Sequence, residues 1–423
     1  MIWRAFYRLL LWLALPFVVA RLWWRGRQEP RYRESPGERF GFYRSGPKKP
    51  VIWLHAVSLG ETRAAEPLLR ALQQRHPECD LLITQMTATG REAAQALLGG
   101  SAHVAWLAYD YPFSVKRFLR HFRPRLGVLM ETEIWFNLVA ECGRAGVPLM
   151  LANARMSARS ARGYSSVAPL ARAALQSLGA VAAQTAEDAE RLTALGGRHV
   201  EVVGNLKFDV EPGEGSESLA RQFRQWFGDR RVLLFASTRE GEEELLLDAS
   251  ERESPGDALT VIVPRHPQRF DAVAQLMAAR GLRFARRSAG GPVPPDCKYV
   301  LGDSMGEMGA YYRACHVAFI GGSLIDYGGQ NLIEACAAGV PVLIGPHTFN
   351  FAQAADSAVA AGAALRVDRA EDVVQQARRL LADADLHARM GKAGIDFCAG
   401  HRGATQRTLA ICERLLGEGA ATR

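Results

Sequence analysis

The stretch VIWLHAVSLGETRAAEPLL, residues 51–69, sets the fold class of this chain. Its first seven residues form an apolar run in which His55 is the one polar residue, Ser-Leu-Gly follows, and a segment with helical spacing begins at Glu61. An apolar run of this kind has no polar face, which is typical of a strand in a parallel sheet covered by helices on both sides. The stretch therefore predicts a strand that passes through a tight turn directly into a helix.

Similar apolar runs recur along the chain, separated by helical stretches such as 64–74 and 91–98. The first series continues with 80–86, 103–108, 126–131, 148–153 and 180–184, and a second series comprises 200–205, 231–237, 258–264, 297–302, 316–322 and 340–345. Because the segment EPGEGSES (211–218) is loop-like, we place a domain boundary near 205–220. The pattern predicts two doubly wound α/β domains, with ligands at the carboxyl ends of the strands in a cleft between them.

Composition and charge exclude several classes of protein. The chain has 423 residues, of which 48% are hydrophobic and 23% charged, so disorder, collagen and coiled coil are excluded. The net charge of +8 lies within residues 1–49, which hold eleven Lys or Arg and three Glu, and this disfavours a uniformly basic nucleic-acid binder. Seven cysteines without a C-x-x-C pair argue against a disulfide framework or a zinc ribbon and favour a reducing compartment.

The N-terminal segment carries the apolar run LLLWLALPFVVA (9–20), flanked by aromatic residues and arginines. Twelve helical residues rise about 18 Å, short of a hydrocarbon core of about 30 Å. Extending the helix from Ile2 to Trp24 gives a marginal span or a deep interfacial helix. We predict a membrane-anchor helix at 1–27, a basic connector at 28–49 and a cytoplasmic body; a cleaved signal peptide and a buried core helix remain alternatives.

Polar residues at the ends of the predicted strands mark a candidate site in the first half. Ser58, Gly60 and Glu61 lie where a strand turns into a helix, and a helix N-terminus attracts anions. Glu61 can face the expected cleft, or it can simply complement the helix dipole. Glu131 and Glu133 end another apolar strand, where two carboxylates are costly unless they bind something.

Basic and glycine-rich segments extend the candidate site. Arginine after a strand suits anionic groups, as at Arg155 and Arg265. The glycine pairs 321–322 and 328–329 predict a nest of convergent backbone N–H groups. Behind them, Asn331 is expected to cap a helix whose first turn carries Glu334, a carboxylate able to accept both hydroxyls of a ribose. The remaining candidate residues are Lys207, Gly306, Glu307, Met308, Gly322, Ser323 and Gln330.

Seven segments stand out together, in this order: WLHAVSLGE (53–61), METEIWFN (130–137), NARMSARS (153–160), GNLKFD (204–209), VPRHPQRF (263–270), DSMGEM (303–308) and GGSLIDYGGQN…GPHTFNF (321–351). They resemble the motifs of 3-deoxy-D-manno-octulosonic acid (Kdo) transferases, which are membrane-anchored glycosyltransferases of lipopolysaccharide assembly in Gram-negative bacteria. The resemblance covers nearly the whole chain. It implies a GT-B fold, with an acceptor-binding Rossmann-like domain at 50–210 and a nucleotide-sugar domain at 211–423.

The resemblance also implies an activity and roles for particular residues. The activity is inverting transfer of Kdo from CMP-Kdo to a lipid A precursor (lipid IVA) at the cytoplasmic face of the inner membrane, with no cofactor, no required metal and no nucleic acid. Glu61 would be the general base. The donor nucleotide would be bound by Arg265, Gly306, Glu307, Met308, Asn331 and Glu334. Two positions depart from the family pattern: Gln330 stands where His is common, and Phe136 replaces a usual Pro.

Other functions remain open from the sequence alone. Within enzymes, the alternative is a GT-B transferase or an epimerase that uses a UDP-sugar. Outside enzymes, the alternatives are a membrane-tethered protein that binds an anionic ligand and a secreted ligand-binding protein. A dinucleotide dehydrogenase, a P-loop NTPase and a zincin are disfavoured because their signature motifs are absent from the sequence.

Overall fold

The computed structural model describes residues 2–44, 46–211 and 215–421. They form two compact units: unit 1 comprises residues 1–210 and 401–423, and unit 2 comprises residues 211–400. Each unit is an α/β structure built on one seven-stranded parallel sheet.

The sheet of unit 1 has the strand order β3-β2-β1-β4-β5-β6-β7. Its strands are β1 (Val51–His55), β2 (Asp80–Gln85), β3 (Ala102–Trp106), β4 (Pro124–Met130), β5 (Leu149–Ala154), β6 (Ala180–Ala183) and β7 (Val200–Val202). All neighbouring pairs are parallel, and all five residues of β1 are buried, as its apolar run predicts. The direction of the order reverses between β1 and β4, and the carboxyl ends of strands at such a switch point are where doubly wound sheets bind ligands.

Helices cover both faces of this sheet. In chain order they are α1 (Ile2–Gln28), α2 (Leu59–Arg75), α3 (Ala88–Leu98), α4 (Pro112–Phe122), α5 (Phe136–Arg144), α6 (Ala158–Ser165), α7 (Ala168–Gln176) and α8 (Ala186–Ala194). One core cluster joins α2 and α3 to the sheet, and a second joins α4, α5 and α7 to its other face. Single 3₁₀ turns lie at Pro30–Arg33, Pro36–Phe40 and Leu206–Asp209.

The sheet of unit 2 has the strand order β10-β11-β9-β8-β12-β13-β14, with a switch point between β8 and β12. It differs from the sheet of unit 1 in that β11 lies between β9 and β10, so one edge does not follow chain order. Its strands are β8 (Val232–Thr238), β9 (Leu259–Pro264), β10 (Phe284–Arg286), β11 (Tyr299–Leu301), β12 (Val317–Ile320), β13 (Val342–Ile344) and β14 (Ala364–Arg366). Its helices are α9 (Ser216–Phe227), α10 (Glu242–Glu253), α11 (Phe270–Ala279), α12 (Met308–Ala314), α13 (Ile333–Ala337), α14 (Ala352–Ala360), α15 (Ala370–Ala382) and α16 (Ala384–His401). The 3₁₀ turns of this unit are Pro267–Arg269 and Arg287–Ala289.

The C-terminal segment differs from the sequence-based expectation. The last helix, α17 (Ala404–Ala421), packs against α2, β4 and β6 of unit 1, whereas the expected domain 211–423 assigned it to the second half. Its apolar side chains Ile411, Cys412 and Leu415 are buried in the core cluster that contains α2. The apolar surface of α2 and the sheet is thus covered by a helix from the far end of the chain.

The strand series also needs two corrections. The run 200–205, assigned to the second series, forms β7 and pairs with β6 in the first sheet. Two short strands of the second sheet, β10 and β14, were missed altogether.

Candidate active site

The turn between β1 and α2 holds the Glu61 carboxylate at the switch point of unit 1. Ser58 is the N-cap of α2, and its hydroxyl accepts from Glu61 N–H at 3.3 Å and donates to Glu61 Oε1 at 3.1 Å. Glu61 Oε2 accepts from Val57 N–H at 2.8 Å. This reciprocal arrangement resembles a capping box, so the local sequence Ser58–Glu61 fixes the position of the carboxylate.

The surroundings of Glu61 leave room for a ligand on one side and are tightly packed on the other. A Cβ on Gly60 would meet nothing nearer than Ser58 Oγ at 3.9 Å, so the backbone is open there. On the other side the Thr87 hydroxyl, at the start of α3, donates to Val57 O at 2.9 Å. A Cβ on Gly90 would collide with Gln85 and Thr87, which explains the glycine in the first turn of α3.

The pKa of Glu61 is raised to about 7, mainly by burial and also by the nearby negative charges of Glu131 and Glu133, against the lowering effects of Val57 N–H and Ser58. A carboxylate with a pKa near neutrality is suited to act as a general base at physiological pH. The alternative, in which Glu61 only complements the helix dipole, does not account for the two further carboxylates beside it.

Glu131 and Glu133 follow β4, the other strand at the switch point. Glu131 adopts a left-handed backbone conformation with φ of 54°, and such strain in a non-glycine residue costs about 1–3 kcal/mol. Glu133 Oε2 accepts from Trp135 Nε1 at 2.6 Å, while burial and the charge of Glu131 raise its pKa. The structure therefore brings the three predicted carboxylates of the first half together.

The two basic candidates of the first half also lie at Glu131. Lys207 Nζ donates to Glu131 Oε1 at 3.1 Å, and Arg155 N–H donates to Glu131 O at 3.4 Å. Asn153 fixes the segment that carries Lys207, because its Oδ1 accepts from Leu206 N–H at 3.0 Å. The arrangement is a cluster of three carboxylates and Lys207 at the carboxyl ends of β1, β4 and β5, and such a surface suits a polar substrate.

In unit 2, Arg265 directly follows β9 and lies beside the switch point. Its N–H donates to Thr238 O at 3.0 Å, and its Nε donates to Gln330 Oε1 at 3.2 Å. Gln330 thus acts as an amide acceptor that orients the guanidinium.

Arg239 is a residue that the sequence-based site residues do not include. It follows β8, contacts His266 Nε2 through Nη1 at 2.5 Å and lies 4.3 Å from the centre of the Tyr327 ring. Burial and the charges of Arg239 and Arg265 lower the pKa of His266. The segment STRE (237–240) at a strand end was the available sequence signal. Two guanidinium groups and a neutral imidazole at a switch point form a suitable site for a phosphate.

The loop after β12 has the predicted convergent N–H groups at Gly322 and Ser323, but these groups are not open to a ligand. The N–H groups of Gly322, Ser323 and Leu324 donate to the carboxylate of Glu242, at 2.6, 3.2 and 3.1 Å. Glu242 is fully buried, which raises its pKa against the lowering effect of these hydrogen bonds. The convergent donors therefore bind a side chain of the same unit, and the loop after β12 is fixed to the start of α10.

The remaining donor candidates lie near the ends of β11 and β12. Glu307 accepts from Arg287 Nε and Nη2 at 3.0 and 2.9 Å and precedes Met308, the first residue of α12. Gly306 has φ of 83°, which accounts for the glycine, and a Cβ there would meet no atom within 4 Å. The backbone before α12 is therefore open to a ligand.

Asn331 and Glu334 are joined to one another. The N-cap of α13 is Leu332 and not Asn331 as expected, because the helix begins one residue later at Ile333. Asn331 Oδ1 still accepts from Ile333 N–H at 3.1 Å, and its Nδ2 donates to Glu334 Oε1 at 2.9 Å. Since α12 packs against α13, these residues and Glu307 lie in the same region of unit 2. Among the described residues, no three His, Cys, Asp or Glu side chains are grouped so as to hold a metal ion.

Comparisons with known proteins give a family match in each of the two units. A family model described as 3-deoxy-D-manno-octulosonic-acid transferase (kdotransferase) matches residues 34–210, and one described as glycosyl transferases group 1 matches residues 292–397. A 3-deoxy-D-manno-octulosonic acid transferase of Bordetella pertussis is 44% identical, over 98% of this chain and all of its own length. The corresponding transferase of Haemophilus influenzae is 35% identical, over 98% of this chain and 99% of its own.

Solved structures support the fold. A UDP-GlcNAc 2-epimerase from Neisseria meningitidis, bound to UDP-GlcNAc, matches with a TM-score of 0.61 and 16% identity, covering 86% of this chain and all of that one. The two parallel sheets and these matches define a glycosyltransferase of the GT-B class. Within that class, the chain belongs to the 3-deoxy-D-manno-octulosonic acid (Kdo) transferase family. Membership supports Kdo transfer in lipopolysaccharide biosynthesis as its activity.

Proposed function

We propose that the protein transfers Kdo with inversion from CMP-Kdo to a lipid A precursor, lipid IVA, at the cytoplasmic face of the inner membrane. The observation that carries the proposal is the Glu61 carboxylate, with a pKa of about 7, beside Glu131 and Glu133 at the switch point of unit 1. Membership of the Kdo transferase family supports Kdo as the transferred sugar, and the candidate site supports a carboxylate as the general base.

In the proposed reaction, Glu61 accepts the proton of the acceptor hydroxyl as its oxygen attacks the anomeric carbon of Kdo. The bond between that carbon and the phosphate oxygen breaks, and CMP leaves as a phosphate monoester. Lys207, held at Glu131, contributes positive charge near an acceptor that itself carries phosphates.

The donor side rests on the arginines of unit 2. Arg265 and Arg239 would stabilise the charge that develops on the departing phosphate, and Gln330 orients Arg265. Glu334 would accept ribose hydroxyls, with Asn331 holding one of its oxygens. Gly306 and Met308 would lie against the nucleotide at the open backbone before α12. No metal and no further cofactor enter this reaction.

The test is an incubation of the full chain with a CMP-Kdo generating system and tetraacylated lipid IVA, analysed by mass spectrometry. The expected product is lipid IVA carrying one or more Kdo residues, formed equally well with EDTA present. Parallel reactions replace CMP-Kdo with UDP-sugars, and Glu61→Gln serves as the inactive control. Transfer or epimerisation of a UDP-sugar in place of Kdo transfer contradicts the proposal.

A further inference from the structure

Helix α1 is half-buried along one stripe that runs its whole length. Its half-buried positions recur every three or four residues, and Gly26, near its C-terminal end, is buried; the half-buried positions are Arg4, Tyr7, Arg8, Leu11, Ala14, Leu15, Val18 and Leu22. A period of about 3.6 residues shows that a single face of the helix is covered. That face lies against unit 1.

Polar contacts hold the first half of α1 to unit 1. Tyr7 Oη donates to Asp110 Oδ2 at 2.8 Å, and Arg8 Nε donates to Asn137 Oδ1 at 3.1 Å. The Tyr111 hydroxyl donates to the backbone carbonyl of Leu11 at 2.7 Å. These contacts involve residues after β3 and at the start of α5, which belong to the body of unit 1.

The second half of α1 is held as well. Leu22 packs against the cluster of Tyr32 and Trp106, and the Arg25 guanidinium lies 5.3 Å from the centre of the Tyr32 ring. A Cβ on Gly26 would collide with the Arg33 side chain, and Arg33 donates to Trp23 O at 3.1 Å. Both ends of the helix are therefore anchored to the same body.

The distance between these anchors is incompatible with a membrane span. From Tyr7 to Gly26 the helix rises about 28 Å, close to the full thickness of a hydrocarbon core. If α1 crossed the bilayer with its contacts intact, Asp110, Asn137 and the Arg8–Glu141 ion pair would lie inside the hydrocarbon. Charged groups are rarely found there because their desolvation is costly.

The opposite face of α1 is apolar and uncovered. Its side chains, each more than half exposed, are Ile2, Phe6, Leu9, Leu13, Phe17 and Trp24. Among the described residues, α1 is the one helix that is long and apolar enough to cross a membrane. At its C-terminal end, Arg21, Arg25 and Arg27 are exposed, within the segment that carries the whole net charge of the chain.

We propose that α1 lies flat in the interface of an anionic bilayer as a fixed part of unit 1, and does not cross the membrane. The exposed apolar face enters the acyl region, and the three exposed arginines contact anionic headgroups. This inference rests on the membrane location in the proposed function but not on the identity of the sugar or its donor.

A topology experiment distinguishes the flat helix from a span. The full chain is given a cleavable tag before Met1 and a different one after Arg423, and protease is added to sealed inverted inner-membrane vesicles. Because a flat helix leaves both ends on one side, both tags should be removed at the same rate. Removal of one tag only, with the other protected until detergent opens the vesicles, overturns the proposal.

A crosslink tests whether α1 stays docked in the membrane. The rings of Tyr7 and Phe136 lie 5.2 Å apart, so Tyr7→Cys with Phe136→Cys should be joined by a short bifunctional thiol reagent, in a chain with Cys297 and Cys315 replaced by Ser. Crosslinking is expected in membranes and in detergent alike. Crosslinking in detergent alone overturns the proposal, and each single variant, Tyr7→Cys or Phe136→Cys alone, is the control.

Flotation identifies the lipid as the partner. Purified full chain should float with protein-free phosphatidylglycerol vesicles, and replacing Arg21, Arg25 and Arg27 by Gln should weaken binding at least tenfold. Failure of the unaltered chain to bind vesicles points to a protein that covers α1 and overturns the proposal. Kdo transfer to detergent-dispersed lipid IVA is measured on the same preparations, so a failed topology is distinguishable from a failed function.

Discussion

At the scale of single residues, the proposed reaction requires the ionised form of Glu61. Replacing it by Gln keeps the size and removes the proton acceptor, while the amide oxygen can still accept from Val57 N–H and the amide nitrogen can donate to Ser58 Oγ. We expect kcat for Kdo transfer to fall by about 10²–10⁴, with CMP affinity unchanged by calorimetry. Glu66→Gln, on the same helix but paired with Arg70, is the matched control and should be near wild type. If Glu61→Gln keeps a tenth of the wild-type kcat with chemistry rate-limiting, Glu61 is not the base.

The raised pKa of Glu61 gives a second readout. A base must be deprotonated, so kcat/KM should rise about tenfold per pH unit below pH 7 and level off above it. Burial favours the protonated form of Glu61. The rising limb of the pH profile therefore lies at higher pH than the ordinary pKa range of a carboxyl group. Loss of this limb in Glu61→Gln assigns it to Glu61, whereas an unchanged profile assigns it to another group.

Arg239 should contribute to donor binding. A guanidinium that binds a phosphate contributes about 1.5–3 kcal/mol, so Arg239→Ala should raise the KM for CMP-Kdo by about 10- to 150-fold. Arg239→Lys should recover part of the loss because it restores charge without the planar fork. Arg283→Ala, which removes an exposed ion pair with Asp296, is the control in unit 2. A donor KM unchanged in Arg239→Ala would exclude Arg239 from the donor site.

The Glu61 turn was predictable from the sequence because it is local. Ser58, Gly60 and Glu61 lie within four positions, and their cap geometry follows from residue types alone. The partner of the Gly322 loop was not predictable in this way, since Glu242 lies 80 residues earlier in the chain. Nothing in the local pattern distinguishes a nest that is open to a ligand from one that binds a distant side chain.

At the scale of elements, α17 stabilises the unit that begins the chain. Leu415 is 4% exposed in the core with α2, so Leu415→Ala should lower the free energy of unfolding by about 2–5 kcal/mol, measured in urea. Hydrogen exchange should rise in α2, β4 and β6, which α17 contacts. Arg414→Ala, which removes a surface pair with Glu201, is the control. Faster exchange confined to unit 2 would contradict the assignment of α17.

The central strands were predictable, whereas the two edge strands of the second sheet were not. β1, β4 and β8 are buried on both faces over most of their length, so each contains at least four consecutive apolar residues. β10 and β14 are three-residue strands at the edges of the second sheet, and each ends in an arginine. The packing of α17 against the first sheet could not be predicted for a different reason. The pattern of an amphipathic helix shows which of its faces is buried but not which element buries it.

At the scale of the whole molecule, the net charge and the apolar helix lie at the same end of the chain. Deleting residues 1–27 should release most of the protein from membranes in a pelleting assay. Because α1 is docked on unit 1, the deletion should also lower the melting temperature of that unit, while unit 2 keeps its CMP affinity by calorimetry. The matched variant Arg21, Arg25 and Arg27→Gln retains the helix and should be released only in part. Full pelleting of the truncated chain would place the anchor elsewhere.

The exposed face of α1 also has a kinetic consequence. With α1 flat on the bilayer, as proposed, the enzyme meets a lipid acceptor by lateral diffusion, and the relevant concentration is the mole fraction of acceptor in the surface. Adding inert phospholipid to a fixed amount of lipid IVA should therefore slow Kdo transfer in proportion below saturation. Diluting the same vesicles with buffer that contains the donor should leave the rate per enzyme unchanged. The KM for the acceptor is then properly expressed as a mole fraction, while the KM for the water-soluble donor remains a molarity.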